Sequence, residues 1–138
     1  PTVLLEPNGL SGQKQKTPVN QPVLEGSHIL EEGHDITVVA YGCRVPLATR
    51  LCEIGKKEGF SAEVINLRSL RPLDVGTLSK SVKKTGRILF LNQSETLATR
   101  IVAEITSTAF FHLEAEPLQS MSNDVDELLD CVWKTFET

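Results

Sequence analysis

Long apolar runs, aromatic side chains, methionine and surplus basic charge are all scarce in this sequence. Its 138 residues include one Trp, one Tyr, one Met and five Phe, and 18 acidic residues outweigh 14 basic ones to leave a net charge of -4. Without a basic stripe, nothing is available to displace counterions from a phosphate backbone, and nucleic acid is not an expected partner. No apolar run approaches the roughly 20 residues that a membrane helix needs, and Pro1 to Pro7 lack the basic start and apolar stretch of a signal peptide. The expected product is soluble. Three cysteines, Cys43, Cys52 and Cys131, fit neither a CxxC metal knuckle nor a disulfide framework. A reducing compartment, cytoplasm or mitochondrial matrix, suits them. The absence of an internal repeat excludes a solenoid.

What is present is enough apolar material for one core. Hydrophobic residues make up 40% of a chain of single-domain size. The first residue is Pro1, and Thr2-Val3-Leu4-Leu5 reads as the end of a strand without partners, which predicts a piece of something larger. Residues 7 to 27 gather Pro, Gly, Asn, Gln and Ser with no periodicity, the composition of a connecting segment. The domain proper is expected from near His28.

From there apolar runs alternate with amphipathic stretches, the sign of a parallel sheet covered on both faces. Ile36 to Tyr41, Ala62 to Leu67 and Arg87 to Leu91 are predicted strands, with a weaker one from Pro117 to Met121. A first helix carries Leu47, Ala48, Leu51, Ile54 and Gly55 on one stripe and ends at Gly59. Asp74 is placed to cap a second helix whose inward residues are Val75, Leu78 and Val82, with Lys80, Lys83 and Lys84 favouring its C-terminus before Gly86. A third helix buries Leu97, Ile101, Val102 and Ile105. A fourth, capped by Asp124, buries Val125, Leu128, Leu129, Val132 and Phe136, with Trp133 at its edge. The predicted fold class is α/β, a three-layer αβα sandwich with a mostly parallel sheet of about five strands.

In such a sheet ligands bind beyond the carboxyl ends of the strands, which directs attention to Gly42-Cys43, Arg68-Ser69 and Asn92 to Glu95. Gly42 is a lone glycine, and without the rest of GxGxxG it is weak support for a pyrophosphate site. Cys43 at a helix start would gain nucleophilicity from the dipole, but no basic partner is placed for it, and packing is the better reading. Cys52 and Cys131 lie on apolar helix faces. His28, His34 and His112 share no metal-pair spacing. Ser94 and Thr96 precede an apolar helical run, where capping is the ordinary role. Asp124, Asp126, Glu127 and Asp130 read first as a solvated helix start, with a docking patch as the second reading.

Together, EGHDITVVAYG, AEVINLRSLRPLD, SVKKTGRILFLN and AEITSTAFFHLEAEP resemble the C-terminal domain of the beta subunit of thiamine-diphosphate-dependent 2-oxo acid dehydrogenases, pyruvate or branched-chain type, a domain related to the last one of transketolase. The resemblance runs from about Gly33 to Pro117. It implies that residues 1–10 end a preceding pyrimidine-binding domain, that 11–27 are a linker and that 28–138 form the transketolase C-terminal-like domain.

The implied function is assembly within an enzyme that decarboxylates a 2-oxo acid and passes the acyl group to a lipoyl domain. Thiamine diphosphate and magnesium would be held elsewhere in the full enzyme. The implied partners are an alpha subunit, a second beta subunit and the dihydrolipoyl acyltransferase core. No catalytic, cofactor or metal residue is assigned to this domain: Gly42 would serve the turn after its strand, Arg68, Pro72 and Asp74 would shape the next loop, and these residues with Asn92 take structural or interface roles. Two departures stand out. Asn92-Gln93-Ser94-Glu95 replaces the family's usual His-Glu pair and glycine-rich turn, and the last loop shrinks to Met121-Ser122-Asn123-Asp124. The C-terminal domain of transketolase or of deoxyxylulose-phosphate synthase, and a non-catalytic binding or regulatory module, are the competing readings.

Overall fold

A computed structural model of the chain describes residues 1–5, 12, 14 and 26–137. Most of the expected linker, 11–27, therefore lies outside the described residues. Five strands form one sheet in the order β1-β3-β2-β4-β5, where β1 is His28–Glu31, β2 Ile36–Ala40, β3 Ala62–Asn66, β4 Ile88–Leu91 and β5 Leu118–Ser120. All neighbours run parallel except β1, which pairs antiparallel with β3. Four helices connect or follow them: α1 Val45–Glu58, α2 Val75–Thr85, α3 Glu95–Ala109 and α4 Val125–Phe136.

The central strands β2 and β4 are buried along their whole length, which is why their sequences are continuous apolar runs rather than alternations. Alternate residues face two separate cores. Val38, Ala40, Val64, Leu89 and Leu91 pack under α1 and α4 with Leu51, Cys52, Leu128 and Val132. Val39, Ile65, Ile88 and Phe90 pack under α2 and α3 with Leu78, Val82, Ile101 and Ile105. The result is the three-layer α/β sandwich that the alternation of patterns predicts.

Several expectations shift in detail. Leu47, Ile54, Val75, Leu97 and Val102 are half-buried at the flanks of their stripes, while Ala48, Cys52, Gly55 and Ala98 sit at the centre of contact. Cys131 is half-buried against the first core. Ser94 occupies the N-cap position of α3 but its hydroxyl makes no capping bond, whereas Asp74 and Asp124 both accept from a first-turn N–H. The strand β1 has no counterpart among the strands expected from the sequence. An edge strand has one neighbour, and its ladder is made by backbone groups that leave the side chains of HILE half in solvent, so no hydrophobic period marks it.

One glycine is required by close approach. A Cβ on Gly33 would fall on the Ala62–Glu63 peptide, because the turn from β1 to β2 crosses directly over the start of β3. Since backbone cannot yield as a side-chain tip does, Gly33→Ala should destabilise the fold by about 3 kcal/mol, at the upper end of overpacking costs. A urea midpoint unchanged from the parent would show that the turn does not sit on β3.

Candidate functional site

The chain leaves β2 toward β3 on one side and later returns to place β4 on the other, with α1 and α2 on opposite faces. The crevice between the carboxyl ends of β2 and β4 is therefore the switch point at which doubly wound sheets hold ligands. Its two lips are the 3-10 turn Gly42–Arg44 and the segment Asn92 to Ser94. Gly42 takes φ 56°, the left-handed value that lets the backbone turn sharply out of β2.

Arg44 dominates this end. Only 7% exposed, it sends its guanidinium over the end of β4 to the segment after β5, where Nη1 donates to Ser122 O at 2.7 Å and Asn123 Oδ1 at 2.6 Å and Nη2 to Met121 O at 2.6 Å. Its Nε has no partner among the described residues. Below it, buried Asn92 donates its backbone N–H to Ser120 O at 3.0 Å and Nδ2 to Ser94 O at 3.3 Å, leaving Oδ1 unpaired. Gln93 Nε2 donates to Cys43 Sγ and draws the two lips together. Arg44 and Asn92 turn their polar groups inward at the crevice, while Gln93 is exposed at its rim.

The other expected residues lie on the loop that leaves β3. Arg68 adopts φ 54°, unusual for a residue with a Cβ, and its N–H donates to Asn66 Oδ1 at 3.2 Å. Pro72 follows a cis peptide bond, and its carbonyl accepts from Ser69 Oγ at 3.1 Å. Asp74 accepts from Thr77 N at 3.0 Å, capping α2, and from Ser27 N at 2.9 Å, tying the entry of β1 to the same helix. Burial alone would raise its carboxyl, but these bonds outweigh it and hold the group below the ordinary aspartate value. Gly42 and Asn92 thus flank one crevice, while Arg68, Pro72 and Asp74 share a different loop.

Two polar features are absent from the residues that the sequence singles out. Arg44 is one. The other is Glu63, 1% exposed on β3, whose carboxylate accepts from Lys84 Nζ and, at 3.5 Å, from Gly33 N. Beside it Thr37 on β2 bonds both Ser81 and Thr85 of α2 at 2.7 Å. The signal for the second is an acid inside the apolar run AEVI: a buried glutamate requires a cation, and Lys84 supplies one.

Among the described residues no group of three or more His, Cys, Asp or Glu is arranged to hold a metal ion. With Arg44 committed to acceptors after β5, the crevice between β2 and β4 offers no free cationic cradle for a diphosphate among the described residues. The residues present do not fit thiamine diphosphate with magnesium, and no chemical step at this crevice runs through that group. No described helix is long and apolar enough to cross a membrane.

The strand order and the two helix-covered faces define a doubly wound α/β domain. Residues 26–129 match the family described as Transketolase, C-terminal domain, and the chain belongs to that family. It is 33% identical over 131 residues to the pyruvate dehydrogenase E1 component subunit beta of Acholeplasma laidlawii, covering 91% of this chain and 40% of that protein. Against the mitochondrial subunit beta-1 of Oryza sativa subsp. japonica it is 38% identical over 126 residues, covering 83% of this chain and 33% of the relative. The chain thus spans two fifths or less of these relatives. A solved split-gene transketolase, described as an inactive beta4 tetramer, shares the fold with a TM-score of 0.74 at 22% identity over 91% of this chain and 46% of its own.

The Glu63–Lys84 pair makes stability depend on pH in a defined way. Burial pushes Glu63 up, but hydrogen bonds from Lys84, Ser81 and Gly33 N bring it net below its ordinary value of 4.5, and the bond to Glu63 raises Lys84 above 10.5. A depressed carboxyl stabilises above its unfolded value and loses that contribution as pH falls through the folded one; a raised ammonium stabilises below its unfolded value and loses it as pH rises through the folded one. Stability should therefore be full between these limits and decline below pH 4.5. In Glu63→Gln the acid decline between about pH 5 and 3 should flatten; an unchanged slope in urea melts would remove Glu63 as its source.

Proposed function

We propose that this chain is the C-terminal assembly domain of the beta subunit of a thiamine-diphosphate-dependent 2-oxo acid dehydrogenase, the decarboxylating component that oxidises pyruvate or branched-chain 2-oxo acids. The observation that carries the reading is the similarity over nine tenths of this chain to a protein named as a pyruvate dehydrogenase beta subunit. The inward bonds of buried Arg44, which tie the end of β2 to the segment after β5, suit a domain that serves packing. On this reading thiamine diphosphate and magnesium belong to the full enzyme and are not bound by this domain alone. Its partners are an alpha subunit, a second beta subunit and the dihydrolipoyl acyltransferase core.

Within the reading, residues 1–10 close a pyrimidine-binding domain, 11–27 link it, and 28–138 are the transketolase C-terminal-like domain. Gly42 and Asn92 shape the lips of the crevice, and Arg68, Pro72 and Asp74 the loop after β3, as structural or interface residues. Three free thiols suit a reducing compartment, cytoplasm or mitochondrial matrix. A non-catalytic module is the second reading, favoured by Asn92-Gln93 where the family usually carries a His-Glu pair.

The test is to express the full-length parent with its alpha partner and assay decarboxylation of pyruvate and of 3-methyl-2-oxobutanoate with thiamine diphosphate. Turnover that requires both chains supports the enzyme and names its substrate, and a folded, cofactor-loaded complex without turnover would move the assignment to the non-catalytic module. In the same system Asp74→Ala should lower the stability of this domain by about 1–2 kcal/mol, the cost of an N-cap together with the lost tie to Ser27. A change in the unfolding midpoint no larger than that of an exposed alanine substitution would dismiss the tie.

A further inference from the structure

Arg44 is a buried cation without a counter-ion. It is 7% exposed, yet it takes part in none of the ion pairs among the described residues. Its acceptors are the carbonyls of Met121 and Ser122 and the amide oxygen of Asn123, all of them neutral. The acids that follow those acceptors along the chain are engaged elsewhere: Asp124 accepts from Asp126 N at the start of α4, and Glu127 from Ser122 Oγ. A guanidinium kept this far from water ordinarily meets an anion, and its Nε–H is still unpaired. Because the sheet order is β2-β4-β5, a side chain that runs from the end of β2 to the segment after β5 carries Nε across the end of β4, where Asn92 is the first residue beyond the strand. Asn92 is 1% exposed, and its Oδ1 is also unpaired. The crevice thus holds one unused donor that bears positive charge and one unused acceptor. On the same lip α3 begins without a side-chain cap, so the N–H groups of its first turn face this end, with Glu95 of that turn exposed to solvent.

We propose that the crevice between β2 and β4 binds a small carboxylate that carries a hydroxyl on the adjacent carbon, the chemistry of a short 2-hydroxy acid. The carboxylate accepts from Arg44 Nε–H and supplies the negative charge that the arginine lacks, at the positive end of the α3 dipole. The hydroxyl donates to Asn92 Oδ1, an acceptor that no carboxylate oxygen can satisfy. Charge and hydrogen bonding together restrict the guest. One free N–H on Arg44 is too little to hold a diphosphate, whereas a single carboxylate needs no more than that N–H and the helix end. A plain carboxylate such as acetate leaves Asn92 unpaired, and a neutral diol leaves Arg44 without its anion. The site adds a binding role to the packing role of Arg44 and does not depend on the decarboxylating assignment.

The Nε–H resonance of Arg44 in the 138-residue chain, followed by proton–nitrogen correlation NMR during titration with glycolate, reads the site directly. A saturable shift is expected, with a dissociation constant on the order of 1 mM for a ligand of about five heavy atoms. Acetate should bind about fivefold more weakly for want of the bond to Asn92, and ethylene glycol should give no saturable shift. In Asn92→Leu, which keeps the backbone bond to Ser120 O, glycolate should fall to the affinity of acetate while acetate is unchanged. Arg44→Lys, read by calorimetry, should weaken both at least about tenfold. The ratio of glycolate to acetate affinity in the parent chain needs no variant, so the test does not hang on either substitution folding. A resonance that stays put up to about 100 times the expected constant means that water satisfies both groups, and overturns the proposal. So does a shift that chloride reproduces at equal concentration, an adventitious ion only, or an Asn92→Leu chain that still prefers glycolate. None of these readouts involves decarboxylation, so this site and the enzymatic assignment fail or stand separately.

Discussion

A guanidinium taken out of water must find oxygen acceptors to replace its hydration, or the fold bears the cost of an unsolvated charge. Arg44 meets this requirement with the carbonyls of Met121 and Ser122 and the side chain of Asn123. Much of the carboxyl end follows from that choice. The segment between β5 and α4 cannot drift, because moving it would strand a buried cation. The end of β4 lies beneath the arginine.

The two ends of the sheet consequently do different work. At the carboxyl end polar groups turn inward and close on one another, as in the contact of Gln93 with Cys43. At the amino end Phe110, Phe111 and Trp133 are exposed while Phe60 is buried, and Arg87 ties Glu114 to the Phe136 ring and to the Thr135 carbonyl.

Elements with strong periodicity are legible in the amino-acid order alone. The buried strands and the amphipathic helices appear where apolar runs and 3.6-residue stripes place them, and Asp74 and Asp124 cap helices as their positions imply. What the order does not reveal has a common cause, in that it depends on distant partners. The strand β1 exists because β3 offers a ladder. Ser94 takes the N-cap position without a capping bond, and its carbonyl accepts from the side chain of Asn92. Arg44 binds residues 77 to 79 positions away, beyond the reach of any local pattern.

Glu63 shows why a polar residue is retained in such a core. In the register Thr37↔Glu63 its side chain faces α2, where Lys84 and Ser81 receive it. A slip of β3 by one residue would turn every side chain to the opposite face. Glu63 would then enter the core built on Val38, Ala40 and Leu89, where the buried residues are apolar and offer no cation. Val64 would meet the polar row of Thr37, Ser81 and Thr85. An all-apolar β3 would lose little by that error, because both faces of the sheet are covered by similar hydrophobic helices. One buried carboxylate separates the two arrangements by several kcal/mol, so the pair contributes less by strengthening the native fold than by excluding its nearest alternative.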